Sequence, residues 1–230
     1  IEMLKIYGVP VSVHTRKVIA AAIEKQLPFE IEPVIPFQPP TNWDSLSPTG
    51  LIPAIGDGDF VLADSAAICA YLERVHPQQS IYPKDHQSYG RALWFEAYAG
   101  GTLNRNVIHG LFFQKIIRPG MLDELTDTDE MDRILLHEMP KVFGYFESQL
   151  NGDYLVDGAL SIADIALTSN LINYHYLGFE IDGNRFPKLK TYFAKLIRRP
   201  AFAKALAAEE PFAQGMGLDR GFSADLSEVA

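Results

Sequence analysis

The sequence predicts an α/β unit over residues 3–76 followed by an all-α unit over residues 88–213. Three observations carry this. Short strand and helix signatures run β-α-β and then β-β-α up to about Val75. His76-Pro77-Gln78-Gln79-Ser80 is polar and proline-bearing, as a linker is. Beyond it no strand pattern recurs, and long stretches with helical spacing follow.

Leu4 to Tyr7 alternates as a strand, and Gly8-Val9-Pro10-Val11 leads into a helix from about Ser12 to Gln26. Its positions Thr15, Val18, Ile19, Ala22 and Ile23 repeat at helical spacing, so Arg16, Lys17, Glu24 and Lys25 are expected to face water. Phe29 to Val34 is a second strand, joined to the first by a parallel crossover. A proline-rich loop, Pro36 to Thr41, and a helical turn at Trp43 to Leu46 come next. Leu51 to Ile55 and Phe60 to Leu62 flank the tight turn Gly56-Asp57-Gly58-Asp59, and Asp64-Ser65 open another helix. This is the pattern of a thioredoxin-like unit.

Pro53 lacks an N–H and suits a strand's first residue. A cis Ile52–Pro53 bond would turn the Ile52 N–H and C=O outward, where an extended peptide could pair with them. Ser65 and the first N–H groups of its helix suit a carboxylate. Together these suggest a site for a small acidic peptide. The alternative is a hairpin and a helix with Ser65 as an ordinary N-cap.

In the second unit, helices are expected over Ser88 to Phe113 and over Glu130 to Leu150, the latter kinked at Pro140. Others start at Ser161 and at Pro187. Ser161-Ile162-Ala163-Asp164 has the form of a capping box, read as structural. Trp94, Phe95, Tyr98, Phe112 and Phe113 are read mainly as packing residues, and Asp123 to Asp132 as a solvated stretch.

The chain has 230 residues and a net charge of −9, which argues against nucleic acid. No apolar run reaches membrane-spanning length and no signal-peptide pattern opens the chain, so no membrane partner is expected; Met3 reads as the initiator. One cysteine, Cys69, excludes an internal disulfide and suits the cytoplasm; in its apolar helix it reads as a packed thiol. His14, His76, His86, His109, His137 and His175 show no metal-ligand spacing, so no metal is expected.

The string S-P-x-G-x-I-P-A followed by D-G-D-F-x-L-x-D-S-x-A-I resembles the glutathione-binding segment of cytosolic glutathione transferases. Residues Tyr154 to Ala166 resemble that family's folding motif, and the likeness runs from Leu4 to about Phe212. The resemblance implies glutathione as co-substrate, with Ile52 before the cis Pro53 pairing with its cysteinyl backbone and Asp64 and Ser65 holding its γ-glutamyl end. The loop Tyr7 to Val18 resembles that of serine-type (theta- and phi-like) members, in which a serine donates to the glutathione sulfur; here this is Ser12, which could also only cap its helix. Tyr7 is a rival, since tyrosine-type members use a tyrosine near the first strand's end. Thioredoxins, glutaredoxins and cysteine-type transferases need a cysteine that Val9-Pro10-Val11-Ser12 lacks.

The glycine end falls near Gln38 and Leu51, but relatives often carry polar or charged groups where this chain has Gln38, Pro39 and Leu51. Gln38, Trp43 or Arg16 is left to compensate. Val9, Val11, His109 and Phe112 are candidates for the wall facing a hydrophobic electrophile. The expected protein is a homodimeric detoxification-type transferase. The alternatives are a non-catalytic interaction module and a glutathione-dependent isomerase, dehalogenase or ether-cleaving enzyme. The tail from Gln214 to Ala230, with Gly215, Gly217 and Gly221, is expected to be mobile.

Overall fold

A computed structural model describes residues 3–156 and 158–228. Ile1, Glu2, Val229, Ala230 and Asp157, the last within the stretch resembling the folding motif, lie outside the described residues. The first domain is a four-stranded sheet in the order β2-β1-β3-β4, made of β1 (Leu4–Tyr7), β2 (Phe29–Glu32), β3 (Ala54–Asp57) and β4 (Phe60–Ala63). β1 and β2 run parallel, and β3 is antiparallel to both β1 and β4. Helices α1 (Val13–Glu24), α2 (Trp43–Leu46) and α3 (Ser65–Val75) complete it. This is a thioredoxin-like domain, and an all-helical domain follows.

Period-two alternation sorts the two sheet faces. Leu4 and Ile6 of β1 enter the main core with Val18 and Ile19 of α1 and Ile68 and Leu72 of α3. Tyr7 packs instead in a small second cluster with Val34, Trp43, Ala54 and Ile52.

The helical domain begins with α4 (His86–Ala97), which continues through a π-helical stretch Tyr98–Ile108, α5 (His109–Phe112), a second wide stretch Phe113–Ile117 and α6 (Arg118–Met121). After α7 (Thr128–Arg133) the turn widens again over Ile134–Glu138, where Met139 N–H bonds Ile134 O, before α8 (Met139–Gln149). Pro140, which has no N–H to donate, directly follows that widening, in the first turn of α8. Gly110 permits the two helical segments to touch: a Cβ there would lie 2.6 Å from Ile134 Cδ1.

Helices α9 (Ile162–Tyr176), α10 (Pro187–Leu196) and α11 (Pro200–Gly215) finish the domain, and α9 is its buried axis. Asp164 anchors α9, accepting from Ser161 N (2.8 Å), Ser161 Oγ (3.1 Å), Leu155 N (2.8 Å) and Tyr192 Oη (2.9 Å).

Two expectations are corrected. Arg16, Lys17 and Lys25 do not face water; they are 0%, 4% and 3% exposed. Both domains cover α1, and its charged positions meet partners distant in sequence. Arg16 binds Glu209 of α11, Lys17 binds Glu96 of α4 at 2.8 Å, and Lys25 binds Glu73 of α3 at 2.6 Å. Glu24 is half-buried against Arg199.

The tail, too, is docked as far as it is described. Residues Gly221–Glu228 form a 3₁₀ helix, and the Phe222 ring lies 5.3 Å from those of His175 and Tyr176. Leu218, Phe222 and Leu226 recur every fourth residue, so the three glycines do not free this segment.

Candidate active site

Three segments converge at the N-terminus of α1. The first is the loop before it. Gly8 has φ +152°, and a Cβ there would lie 2.6 Å from Thr15 Oγ1 and 3.3 Å from Ile52 Cβ. Glycine therefore lets the loop, α1 and the Ile52 segment close together. Ser12 ends the loop as the N-cap of α1, and its Oγ accepts from Thr15 N at 3.5 Å. A serine oxygen has two lone pairs and one proton, so this bond leaves the O–H free to donate. Ser12 is half-buried, beside the positive end of a three-turn helix.

The second segment holds Ile52–Pro53, whose peptide bond is cis. Pro53 is buried and Ile52 half-buried, while Leu51 is 66% exposed and its carbonyl accepts from Ser47 Oγ at 2.6 Å. Gln38 and Pro39 are exposed on the neighbouring loop, where Gln38 N–H donates to Ile35 O. Trp43 and Arg16 are not available to compensate at this rim. Trp43 is 1% exposed and donates to Gly50 O, and Arg16 is committed to the second domain. Residues 26–73 contain no lysine, arginine or histidine, so this rim carries no cation of its own.

The third segment is the start of α3. Asp64 caps it from φ 74°, ψ 123°, a conformation uncommon for a non-glycine residue and held here by the cap. Both capping bonds, from Ala66 N (2.9 Å) and Ala67 N (3.0 Å), fall on Oδ1. Asp64 is exposed; Ser65 beside it is 6% exposed, with Oγ 3.4 Å from His14 Nδ1. Burial, reinforced by the Lys17 charge, lowers the His14 pKa to about 4, so the ring is neutral at pH 7. The Asn104 side chain of the helical domain opposes that lowering.

The sequence-derived candidates thus fall into distinct groups. Ser65 touches His14, which follows Ser12 by two residues in the chain. Ile52 meets the same loop through Gly8. Tyr7 lies on the opposite sheet face, packed on Trp43, its ring and hydroxyl against Gly56. Val9 and Val11 belong to the Ser12 loop, and the Val11 carbonyl accepts from Arg16 Nη2 at 3.2 Å. His109, exposed, and Phe112, half-buried, lie on α5, one to two turns beyond Asn104. Cys69 is fully buried, and burial pushes its thiol up to about 12, which suits packing rather than attack.

Sequence reasoning missed His14. A lone histidine without metal spacing carries no signal, and its partner Ser65 opens α3, 51 positions away.

Residues 6–80 match the N-terminal domain of glutathione S-transferase and residues 113–209 its C-terminal domain. The chain is 28% identical to a glutathione S-transferase of Triticum aestivum, covering 90% of this chain and 94% of that one. It is 26% identical to FtsZ-localized protein A of Caulobacter vibrioides (88% and 90% covered). It is 30% identical to a probable maleylacetoacetate isomerase of Vibrio cholerae (72% and 75% covered).

Proposed function

The chain belongs to the glutathione S-transferase family, and from that premise we propose that it binds glutathione across Ile52, Asp64 and Ser65 and activates the thiol through Ser12. The observation that carries this reading is the Ser12 hydroxyl, which caps α1 as an acceptor and retains its proton for a ligand. A free thiol has a pKa of about 8.5 and is mostly protonated at neutral pH. An O–H donor and a helix N-terminus both favour the thiolate, and each unit of lowering corresponds to about 1.4 kcal/mol between the two forms. The thiolate then attacks a small hydrophobic electrophile held near Val9, Val11, Phe112 and His109, forming the C–S bond as the leaving group departs or the acceptor bond takes up the charge.

At the γ-glutamyl end, both helix caps use Asp64 Oδ1, so Oδ2 would receive the ammonium. The Ile52 N–H and C=O would pair with the cysteinyl backbone beside the cis bond. At the glycine end, Gln38 and the exposed Leu51 would meet the carboxylate without a cation. Loss of one charge-assisted hydrogen bond weakens binding by roughly tenfold to a hundredfold, so glutathione should bind more weakly by that factor than at a rim that carries a cation. The enzyme would act as a cytoplasmic homodimer. A subunit contact would cover exposed apolar residues such as Phe60 and Val61 on the edge strand β4 and Leu93 and Trp94 on α4. Light scattering that shows a monomer at micromolar concentration would remove that part.

A second reading is an interaction module without turnover. Its support is the cation-free rim, where Phe37 (59% exposed) and Leu51 stand in solvent, together with the likeness to FtsZ-localized protein A. Calorimetric titration of glutathione into the wild-type protein and Ser65→Ala separates the two. Saturable binding lost in the variant supports the transferase reading, and no binding at millimolar glutathione supports the module.

A further inference from the structure

We infer that Tyr176, backed by Phe222 of the C-terminal 3₁₀ helix, is a positioning residue for Ser12: through the Arg16–Glu209 pair it holds the Val11–Ser12 peptide in the plane that aims the serine hydroxyl. The inference rests on the reading of Ser12 as the group that activates the thiol.

The peptide group between Val11 and Ser12 is held at both ends. Its N–H, that of Ser12, donates to Val9 O at 3.0 Å, and its C=O, that of Val11, accepts from Arg16 Nη2 at 3.2 Å. A planar peptide leaves only φ and ψ to turn a residue, so the tilt of this group sets the Ser12 φ of −68° and with it the direction of the Cα–Cβ bond. Arg16 Nη2 divides its two protons between Val11 O and Glu209 Oε2, the latter at 2.6 Å. Tyr176 Oη donates to that same Oε2 at 2.9 Å, and the Arg16 Cζ stands over the Tyr176 ring, 5.5 Å from its centroid. Tyr176 therefore fixes both the carboxylate and the guanidinium through which Val11 is held.

What holds Tyr176 comes from the far end of the chain. The Phe222 ring meets the Tyr176 ring at 5.3 Å and 73°, edge to face, and Asp219 N–H donates to Tyr176 O at 2.9 Å. Leu218 and Leu226, both buried, fasten the segment on either side of Phe222, and Arg220 pairs with Glu210 of α11. Loss of Phe222 loosens the Tyr176 ring, and the slack passes through Glu209 and Arg16 to the Val11 carbonyl. A small tilt there matters, because a hydrogen bond weakens steeply as its angle departs from linear. The Ser12 hydroxyl would then stabilise the thiolate less, while the groups that bind the peptide backbone and the γ-glutamyl end stay in place.

Ultraviolet titration of the thiolate of bound glutathione tests this, with Kd read by calorimetry at pH 6.5. Tyr176→Phe keeps the ring and removes the hydroxyl. It and Phe222→Ala should each raise the pKa of the bound thiol by about half a unit, which at pH 6.5 is about a threefold loss of thiolate. Kd at that pH should stay within about twofold, because Ile52, Asp64 and Ser65 are untouched. Phe222→Leu, which keeps an apolar side chain against Tyr176, should retain most of the wild-type pKa shift. The double variant should shift no further than Tyr176→Phe alone, since both act along one path. Additive shifts, or a lower Tm with the bound-thiol pKa unchanged in both single variants, would overturn the inference. If Ser12→Ala raises that pKa and neither Tyr176→Phe nor Phe222→Ala does, the inference falls and the reading of Ser12 stands. If Ser12→Ala leaves the pKa at the wild-type value, or the wild type does not bind glutathione, both fall.

Discussion

Arg16 and Glu209, 193 positions apart, form a two-bond ion pair at 2.5 and 2.6 Å in which neither side chain is exposed to solvent. Arg16 also donates to Ser169 O and Asn173 Oδ1, both at 2.7 Å, and to Val11 O at 3.2 Å, while Tyr176 Oη donates to Glu209 at 2.9 Å. Every strong donor direction of the guanidinium is used, which is what a buried arginine requires. The pair locks α1 to α9 and α11, and through Val11 it fixes the loop that carries Ser12.

Removing the carboxylate leaves a buried cation unpaired. Glu209→Ala should therefore destabilise the protein by about 3–5 kcal/mol in urea denaturation, and replacing both residues by apolar ones of similar volume should cost much less. If Glu209→Ala unfolds like the wild type, the pair does not hold the two domains together.

Asp164 makes four bonds that no single neutral side chain reproduces. Asp164→Ala orphans the Leu155 and Ser161 N–H groups and the Tyr192 hydroxyl, and a loss of about 3–4 kcal/mol is expected. Differential scanning calorimetry should show a fall in Tm of roughly 10 °C. A variant that melts within a degree or two of the wild type would show that the anchor is dispensable.

His175 lies flat on Phe193, centroids 4.4 Å apart, beneath the Phe222 of the tail, and its Nε2 has no partner among the described residues. Burial, then Lys190, lowers its pKa to about 4; Asp219 opposes them. Between about pH 6.5 and 4 the unfolded chain binds this proton and the folded chain does not, so stability falls as pH falls through that window. His175→Phe keeps the stack and removes the titration. Its Tm should therefore decline less than that of the wild type between pH 6.5 and 4, and parallel declines would place the acid sensitivity elsewhere.

Gly8→Ala would force a Cβ into Thr15 Oγ1 from a backbone angle that alanine rarely takes. Loss of glutathione affinity at least as large as the loss of stability is expected, because the displaced loop carries Ser12 and abuts Ile52. Crystallographic or calorimetric equivalence with the wild type would count against Gly8 as the point of closure.

The strand and helix order of the first domain and the helical character of the second follow from periodicity and proline placement, so they were legible from residues such as Leu4, Ile6, Pro53 and Pro187. The Ser161-to-Asp164 box was legible too, because caps are local, whereas the cap of α3 falls on Asp64 and not on Ser65, which is the first helical residue. The buried charges of α1 were not. At Arg16, Lys17 and Lys25 a helical wheel sees one apolar stripe and assigns the rest to water, whereas here α3, α4, α9 and α11 cover the charged side from 48 to 193 positions away. His14 escaped for the same reason. The wide helical turns at Tyr98–Ile108 and Ile134–Glu138 show no signature beyond glycines and Pro140, which ordinary helices also carry. Tail docking depends on a receiving surface, His175, Tyr176 and Phe193, that only the assembled fold creates.

If Ser12 stabilises the glutathione thiolate, removing its hydroxyl raises the pKa of the bound thiol. The direct measurement is a pH titration of the thiolate ultraviolet absorbance of bound glutathione, in the wild type and in Ser12→Ala at saturating ligand. In the wild type the apparent thiol pKa should lie at least about one unit below the free value of about 8.5, and in the variant it should return most of the way. An unshifted pKa in the wild type, or the same shift in both proteins, would contradict it.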